Sequence, residues 1–216
     1  MITKIEQGVR FDIREDYETD KIVIREIWEE NVYEVTSGRF NLGGVVVDIG
    51  ANIGSFSIFA AHHGAKVYAI EPEPHNLEAL KKNISLNHMK DSVVVSEVGI
   101  SNFNGDSKIS DRGGNATIKD DIIDGSIIKI VTLDKYFKDN NIESVDVLKI
   151  DVEGSETEII LGSSRENLNK CKYITMEFDT RSGKDMGEMV KKLSETHHVR
   201  TMGSWERGGM IWAWLY

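Results

Sequence analysis

Several apolar strings in this chain end in a carboxylate, and the residues after each acid turn sharply. VVVDIGANIGSF (45–56) stops at Asp48 and passes through Gly50 and Gly54. KVYAIEPEP ends in Glu71, SVVVSEVG in Glu97, VDVLKIDVEGSE in Asp151 and Glu153, and ITMEF in Glu177. A carboxylate at a strand end accepts hydrogen bonds from hydroxyls, pairs with a cation or takes a proton. Such a set therefore fits a ligand rich in hydroxyls and positive charge.

Gly50 lets the backbone turn tightly or approach a ligand without a clashing Cβ, and Gly54 lets a following helix pack on the strand. The N–H groups from Ala51 to Gly54, Asn52 among them, fall at a helix start, where they are expected to be free for a ligand's polar groups. The dinucleotide fingerprint GxGxxG places a glycine where this chain has Asp48. A carboxylate there repels a pyrophosphate and suits a cationic ligand such as S-adenosylmethionine, which carries a sulfonium and an ammonium. Glu71 lies about twenty residues beyond the turn, the place of the ribose-binding acid in nucleotide-binding α/β folds, and Pro72 follows it. The next crossing is expected to bring Glu97, Val98 and Gly99 to the same edge, with the apolar residue against an adenine face. Gathering Asp48, Glu71, Glu97 and Asp151 at one edge is electrostatically costly, so a ligand, a raised pKa or hydrogen bonding should compensate. Glu153 and Glu156 also have a plain reading, in which they cap and charge the N-terminal turn of the next helix.

The elements that must position these acids alternate. Strands are predicted at GVVVDI, AKVYAI, SVVVSEV, IIKIVTL, VDVLKI and KYITMEF. Helices are predicted at SFSIFAAHHG, HNLEALKKNISLN, LDKYFKDNN, a short piece after EGSE, and KDMGEMVKKLSET. Continuous apolar strands alternating with helices mean a mostly parallel sheet covered on both faces. HHVRTM and MIWAWLY are joined by a loop too short for a crossover and are expected to pair as an antiparallel hairpin. That outline, a Rossmann-like α/β sheet with a C-terminal antiparallel hairpin, is similar to the class I methyltransferase fold. Residues 1–44 read as an N-terminal extension packed on the main domain at 45–216, with β-like pieces at GVRFDI and NVYEV and a helix around DKIVIREIWEE.

With 216 residues, 40% of them hydrophobic and 29% charged, the composition is globular. The formal charge of −10 and the lack of a basic cluster beyond Lys81, Lys82 and Lys90 argue against nucleic acid as partner. No apolar run reaches the length of a membrane span, and the N-terminus has no hydrophobic signal core, so a cytoplasmic protein is expected. The single cysteine, Cys171, reads as a buried structural thiol.

DIGANIGSF, AIEPEPHNLEALKKNISLN with Asn83 and Asn87 in its helix, VTLD and VLKIDVEGSE together resemble the FkbM-type family of S-adenosylmethionine-dependent methyltransferases. The resemblance runs from about Val45 to Phe178. It implies a class I fold, S-adenosylmethionine as donor, and O-methylation of hydroxyls on sugars, glycans or small metabolites. It assigns Asp48, Gly50, Asn52 and Gly54 to the methionine-side loop, Glu71 to the ribose, and Asp151 and Glu153 to the acidic strand-end motif. The polar segment SDRGGNATIKDDIIDG reads either as a substrate-facing loop or as passive surface.

For methyl transfer to a hydroxyl, Asp151 and Glu153 are the first candidate bases and Glu177 the third. His62, His63, His75, His88, His197 and His198 mostly fall away from the carboxyl edge, although His75, after EPEP, could lie near the adenine or ribose. A metal-assisted variant would use Asp151, Glu177 and Asp179 as oxygen ligands. Other readings are a methyltransferase acting on nucleic acid or protein, a NAD-dependent oxidoreductase with an atypical glycine loop, and a non-catalytic partner retaining the fold. The DVEG string stands where a base-amino methylase would carry an Asn/Asp-Pro-Pro-Tyr string, which favours oxygen as acceptor.

Overall fold

The computed structural model describes residues 2–5, 8–15, 17–36, 43–110, 125–178, 186–204 and 208–216. Asp179, the central part of SDRGGNATIKDDIIDG and the tip of the C-terminal hairpin lie outside them.

The chain opens with β1 (Ile2–Lys4) and β2 (Arg10–Asp12), an antiparallel pair, followed by α1 (Glu18–Trp28). Then come β3 (Val45–Ile49), α2 (Ser55–His62), β4 (Lys66–Ile70), α3 (Pro74–Leu86) and β5 (Val93–Ser96). The middle of the chain holds β6 (Gly99–Ser101), β7 (Gly105–Ile109), β8 (Ser126–Thr132) and α4 (Leu133–Asp139). The remainder is β9 (Val147–Ile150), α5 (Glu156–Gly162), α6 (Arg165–Asn169), β10 (Tyr173–Phe178), α7 (Met186–Leu193), β11 (His197–Ser204) and β12 (Gly208–Leu215).

Seven strands form the central sheet in the order β11-β12-β10-β9-β3-β4-β5. The five from β10 to β5 are mutually parallel, and β12 and β11 complete the sheet antiparallel, as the hairpin signal required. Alternation along each strand divides the core into two layers. Val46, Val67 and Val147 face α1, α2 and α3, whereas Val47, Ile49, Leu148 and Ile150 face α4, α5 and α7. Helix α2 is apolar on nearly every side because Ser55 to Ala60 are all buried. Helix α3 starts at Pro74, with the Glu73 carboxylate accepting the backbone N–H groups of His75 and Asn76.

Two predicted elements differ from the structure. IIKIVTL is a strand, but β8 leaves the central sheet and forms a three-stranded sheet in the order β6-β8-β7. Its burial alternates, with Ile127 76% exposed and Ile128 and Ile130 buried, the pattern of a strand covered on one face only. NVYEV is a series of turns, because Asn31 and Glu34 adopt left-handed backbone with φ of 49° and 53°. The turns still deliver Tyr33 and Val35 to the core.

Residues 8–35 pack against the sheet layer that holds α2 and α3: Val9, Phe11, Ile24 and Ile27 share one apolar cluster with Phe56 and Leu80. Asn83 of α3 and Asn87 at its C-terminal cap fasten β2 in place. The Asn83 amide oxygen accepts Asp12 N–H at 2.7 Å, and Asn87 exchanges hydrogen bonds with both the N–H and C=O of Arg10. The N-x-x-x-N spacing puts both amides on one helix face, where they act as a substitute strand edge.

Candidate active site

A cleft of about 220 Å³ opens at the carboxyl ends of β3, β4 and β9, the edge where parallel α/β sheets bind ligands. Its floor is the glycine turn. Gly50 has φ +79°, and a Cβ there would overlap the carbonyl oxygen of Asp151, so only glycine allows β3 and β9 to leave the sheet side by side. Of the N–H groups that the sequence presents as free, those of Ala51, Asn52 and Gly54 are already engaged. Gly50 and Ala51 both donate to the Ile70 carbonyl at 3.0 Å, Asn52 donates to Glu71 Oε2 at 2.8 Å, and Gly54 donates to Ala51. The turn thus spends its donors on β4 and on Glu71. Gly50 and Asn52 line the cleft, whereas Ala51 and Gly54 do not. Gly54, at φ +89°, instead leaves room for Leu80 of α3.

Asp48 is the main correction among the predicted cleft residues. Its side chain is fully buried and outside the cleft lining. Oδ2 accepts the Ser57 hydroxyl at 2.6 Å, and Oδ1 lies 3.1 Å from Lys149 Nζ. The acid that replaces the first glycine therefore answers an internal cation. Lys149, in the middle of β9 and 3% exposed, was missed by sequence reasoning. Its ammonium donates to the Gly50 carbonyl at 2.7 Å and lies 3.5 Å from Asp151 Oδ2, tying the glycine turn to both acids. Burial, the largest single influence, lowers its pKa, but Asp48, Asp151 and Glu71 together outweigh it and raise the pKa, so the ammonium is held charged. The signal was present: a lysine inside the apolar string VDVLKI must find an anion.

Glu71 is 4% exposed and lines the cleft as predicted, with Pro72 beside it. Its Oε1 accepts Glu73 N–H at 2.9 Å and its Oε2 accepts Asn52 N–H. Burial dominates and lifts its pKa to about 7 despite those donors. The third crossing splits. Val98 and Gly99 line the cleft, but Glu97 points to the surface and pairs with Lys81 at 3.6 Å, so the expected gathering of four strand-end acids does not occur. Ile49, Ile70, Ile100 and Ile109 complete an apolar slot beside Val98.

The other end of the cleft is acidic. Asp151, Glu153 and Glu177 line it, as the sequence predicts, and Glu26 of α1 joins them. Asp151 Oδ2 accepts the Tyr33 hydroxyl at 2.9 Å. Partial burial and the surrounding carboxylates, Asp151 foremost, raise Glu177 to about 7. Burial, then Asp151 and Glu30, raises Glu26. Glu156 differs from its plain reading as a helix cap: it is the first residue of α5, and its carboxylate accepts the N–H groups of Val152 and Gly154 in the turn before the helix.

Helix α1 was expected only to pack on the domain, yet Thr19, Ile22, Val23 and Glu26 form a cleft wall. It is anchored by Arg14, which pairs with buried Asp20 at 2.6 Å and donates to Asn76 at 2.8 Å. None of the histidines lines the cleft. His197 is buried between Thr196 and the Cys171 carbonyl, and Cys171 is a buried thiol whose pKa burial raises. Among the described residues no group of three or more His, Cys, Asp or Glu is arranged to hold a metal ion, and no helix is long and apolar enough to cross a membrane.

Comparison with known proteins matches this architecture to one family. The methyltransferase FkbM domain profile matches residues 48–203. Hexuronic acid methyltransferase AglP of Haloferax volcanii is 26% identical over 181 residues, covering 80% of this chain and 73% of that protein. The 31-O-demethyl-FK506 methyltransferase FkbM of Streptomyces tacrolimicus is 27% identical over 207 residues, covering 80% and 79%. The crystal structure of a methyltransferase FkbM from Methylobacillus flagellatus superposes with a TM-score of 0.59 at 18% identity, covering 85% of this chain and 47% of that one. The methyltransferase fold and the profile match across the cleft-bearing strands show that the chain belongs to the FkbM methyltransferase family.

Proposed function

We propose that the protein is an S-adenosylmethionine-dependent O-methyltransferase acting on a hydroxyl of a sugar, glycan or small metabolite. The observation that carries this reading is the order of chemistries along one cleft: a buried carboxylate at Glu71, an apolar slot, then the acidic end. The residues fit the donor. Glu71 is fixed by two backbone N–H groups and the Asn76 side chain, which still leaves acceptor capacity for a ribose hydroxyl. Ile70, Val98 and Ile100 form a slot for a flat apolar ring, and Asp151 and Glu153 supply negative charge for the cationic methionine end. When bound, S-adenosylmethionine supplies an electrophilic methyl group, its sulfur keeping the electrons of the broken C–S bond as the acceptor oxygen forms its bond to carbon.

The chain's own contribution is positioning and proton transfer. Asp151 is held by Tyr33 and Lys149, so it serves better to orient charge than to take a proton. Glu177 lines the cleft free of a salt bridge among the described residues, and its pKa near 7 suits a general base. Glu177 is therefore the base we favour over Asp151 and Glu153. Helix α1 forms part of the site in this reading, and Tyr33 supports it through Asp151. The test is a thermal-shift comparison of S-adenosylhomocysteine with NAD, followed by labelled methyl transfer to hydroxylated acceptors. Stabilisation by S-adenosylhomocysteine alone and label on oxygen are expected; stabilisation by NAD alone would refute the proposal.

A further inference from the structure

A second depression of about 530 Å³ adjoins the donor cleft, and Glu26 and Glu177 line both. These two side chains form the threshold, so a molecule seated in the second depression reaches the donor cleft between them. Val32, Met202, Met210 and Trp212 give it an apolar surface. Glu30 and Glu34 add to its acidic rim.

The charges on that rim are unequal. Arg25 pairs with Glu30 at 2.9 Å, and Arg200 pairs with Glu34 while its guanidinium stacks 4.2 Å from the Trp212 ring. Among the described residues Glu26 and Glu177 have no salt-bridge partner, and each is raised by burial and by neighbouring carboxylates. Two buried polar atoms of the lining residues also lack partners among the described residues: Nε1 of Trp212, a residue 3% exposed, and Oδ1 of Asn31. Buried polar atoms in folded proteins nearly always find partners, so these two mark polar ground beneath the depression, while its open surface is set by Met202, Met210 and the two unpaired carboxylates.

We propose that this depression is the acceptor subsite and that it takes a hydroxyl compound bearing a protonated amine, such as an amino sugar or amino alcohol, in preference to an acidic sugar. This rests on the methyl-transfer reading above. The ammonium offsets the two unpaired carboxylates at the threshold, the hydroxyl lies beyond them toward the donor, and the carbon skeleton covers Met202 and Met210. A carboxylate in the same place would add a further negative charge to Glu26 and Glu177, which repels it. In the transfer, the acceptor oxygen gains the methyl carbon from the sulfonium donor, the donor leaves as a neutral thioether, and the hydroxyl proton passes to a carboxylate.

Three pyranoses that differ in charge separate the outcomes: glucosamine, glucose and glucuronate, titrated by calorimetry into the intact protein saturated with S-adenosylhomocysteine. Glucosamine should bind about tenfold more tightly than glucose, and glucuronate most weakly. Glu26→Gln should cost most of the glucosamine advantage and leave glucose within about twofold. Circular dichroism melting checks that the variant is folded, and raising the salt concentration on the wild type should erode the amine preference without any substitution. Equal or tighter binding of glucuronate, no discrimination, or no binding of any of the three overturns the subsite. S-Adenosylhomocysteine saturation is measured first, so failure there refutes the methyl-donor reading itself, whereas saturation without amine preference refutes only the subsite.

Discussion

Glu71 and Glu177 both have pKa values lifted to about 7, but for different physical reasons. Glu71 is sealed at the end of β4, where burial does most to push it up, with a smaller push from Glu73, and two backbone N–H groups and the Asn76 side chain pull it back. Glu177 stands at the mouth of the cleft, where partial burial acts together with Asp151, Glu153 and Glu26. The first is a fixed acceptor, shaped before any ligand arrives. The second is a carboxyl group in a crowd of like charge, able to gain and lose a proton without moving the backbone. In the function proposed above, similar pKa values go with unequal roles: orientation for Glu71 at one end of the cleft, proton transfer for Glu177 at the other.

The sharpest way to break that contrast is Glu177→Gln. If Glu177 is the base, kcat should fall by about 10²–10⁴ while S-adenosylhomocysteine affinity stays unchanged. A fall in affinity with kcat preserved would reverse the two roles. Next in size is Lys149→Met, which leaves Asp48 buried beside Ser57 without its cation. Urea unfolding should show a loss of about 3–5 kcal/mol, and adding Asp48→Asn should restore part of it. No recovery in the double variant would mean that Lys149 stabilises through Gly50 and Asp151 instead. Tyr33→Phe is a smaller probe, expected to cost about 2 kcal/mol because it removes the hydroxyl donor to Asp151.

The pH dependence sharpens the comparison further. Glu71 and Glu177 are both raised from the ordinary carboxylate value of 4.5 to about 7. Between those values the folded protein holds protons that the unfolded chain has released, so folding stability from these groups falls as pH rises. Their contribution is complete below about 4.5 and gone above about 7. Urea midpoints of the ligand-free protein should decline across this window, and Glu71→Gln and Glu177→Gln should each flatten part of the decline. Ligand binding should run the other way for Glu71, strengthening as its carboxyl ionises.

Much of the frame was legible because strand ends and glycine turns are local. Glu71, Pro72, Val98, Gly99, Asp151, Glu153 and Glu177 all reach the cleft, since each follows an apolar run whose direction fixes where the chain emerges. Asp48 was misread because its partner lies about a hundred residues away on β9, and no local pattern shows whether a strand-end acid faces a ligand or a buried lysine. The N–H groups of Ala51 and Asn52 were misread for the same reason: Ile70 of β4 and Glu71 just after it accept them. IIKIVTL was placed in the wrong sheet although Lys129 and exposed Ile127 carry the alternation of a half-covered strand. Helix α1 escaped notice as a cleft wall because its apolar residues serve two surfaces, with Ile24 and Ile27 in the core and Ile22 and Val23 at the cleft.

The central claim is that Glu71 holds the donor's ribose at the buried end of this cleft. Calorimetric titration of S-adenosylhomocysteine into wild type and Glu71→Gln at pH 8 tests it most directly. The account predicts saturable binding to the wild type and a loss of about 10–100-fold in the variant, the effect of removing a charged hydrogen-bond acceptor. Equal affinity in the two proteins would contradict it.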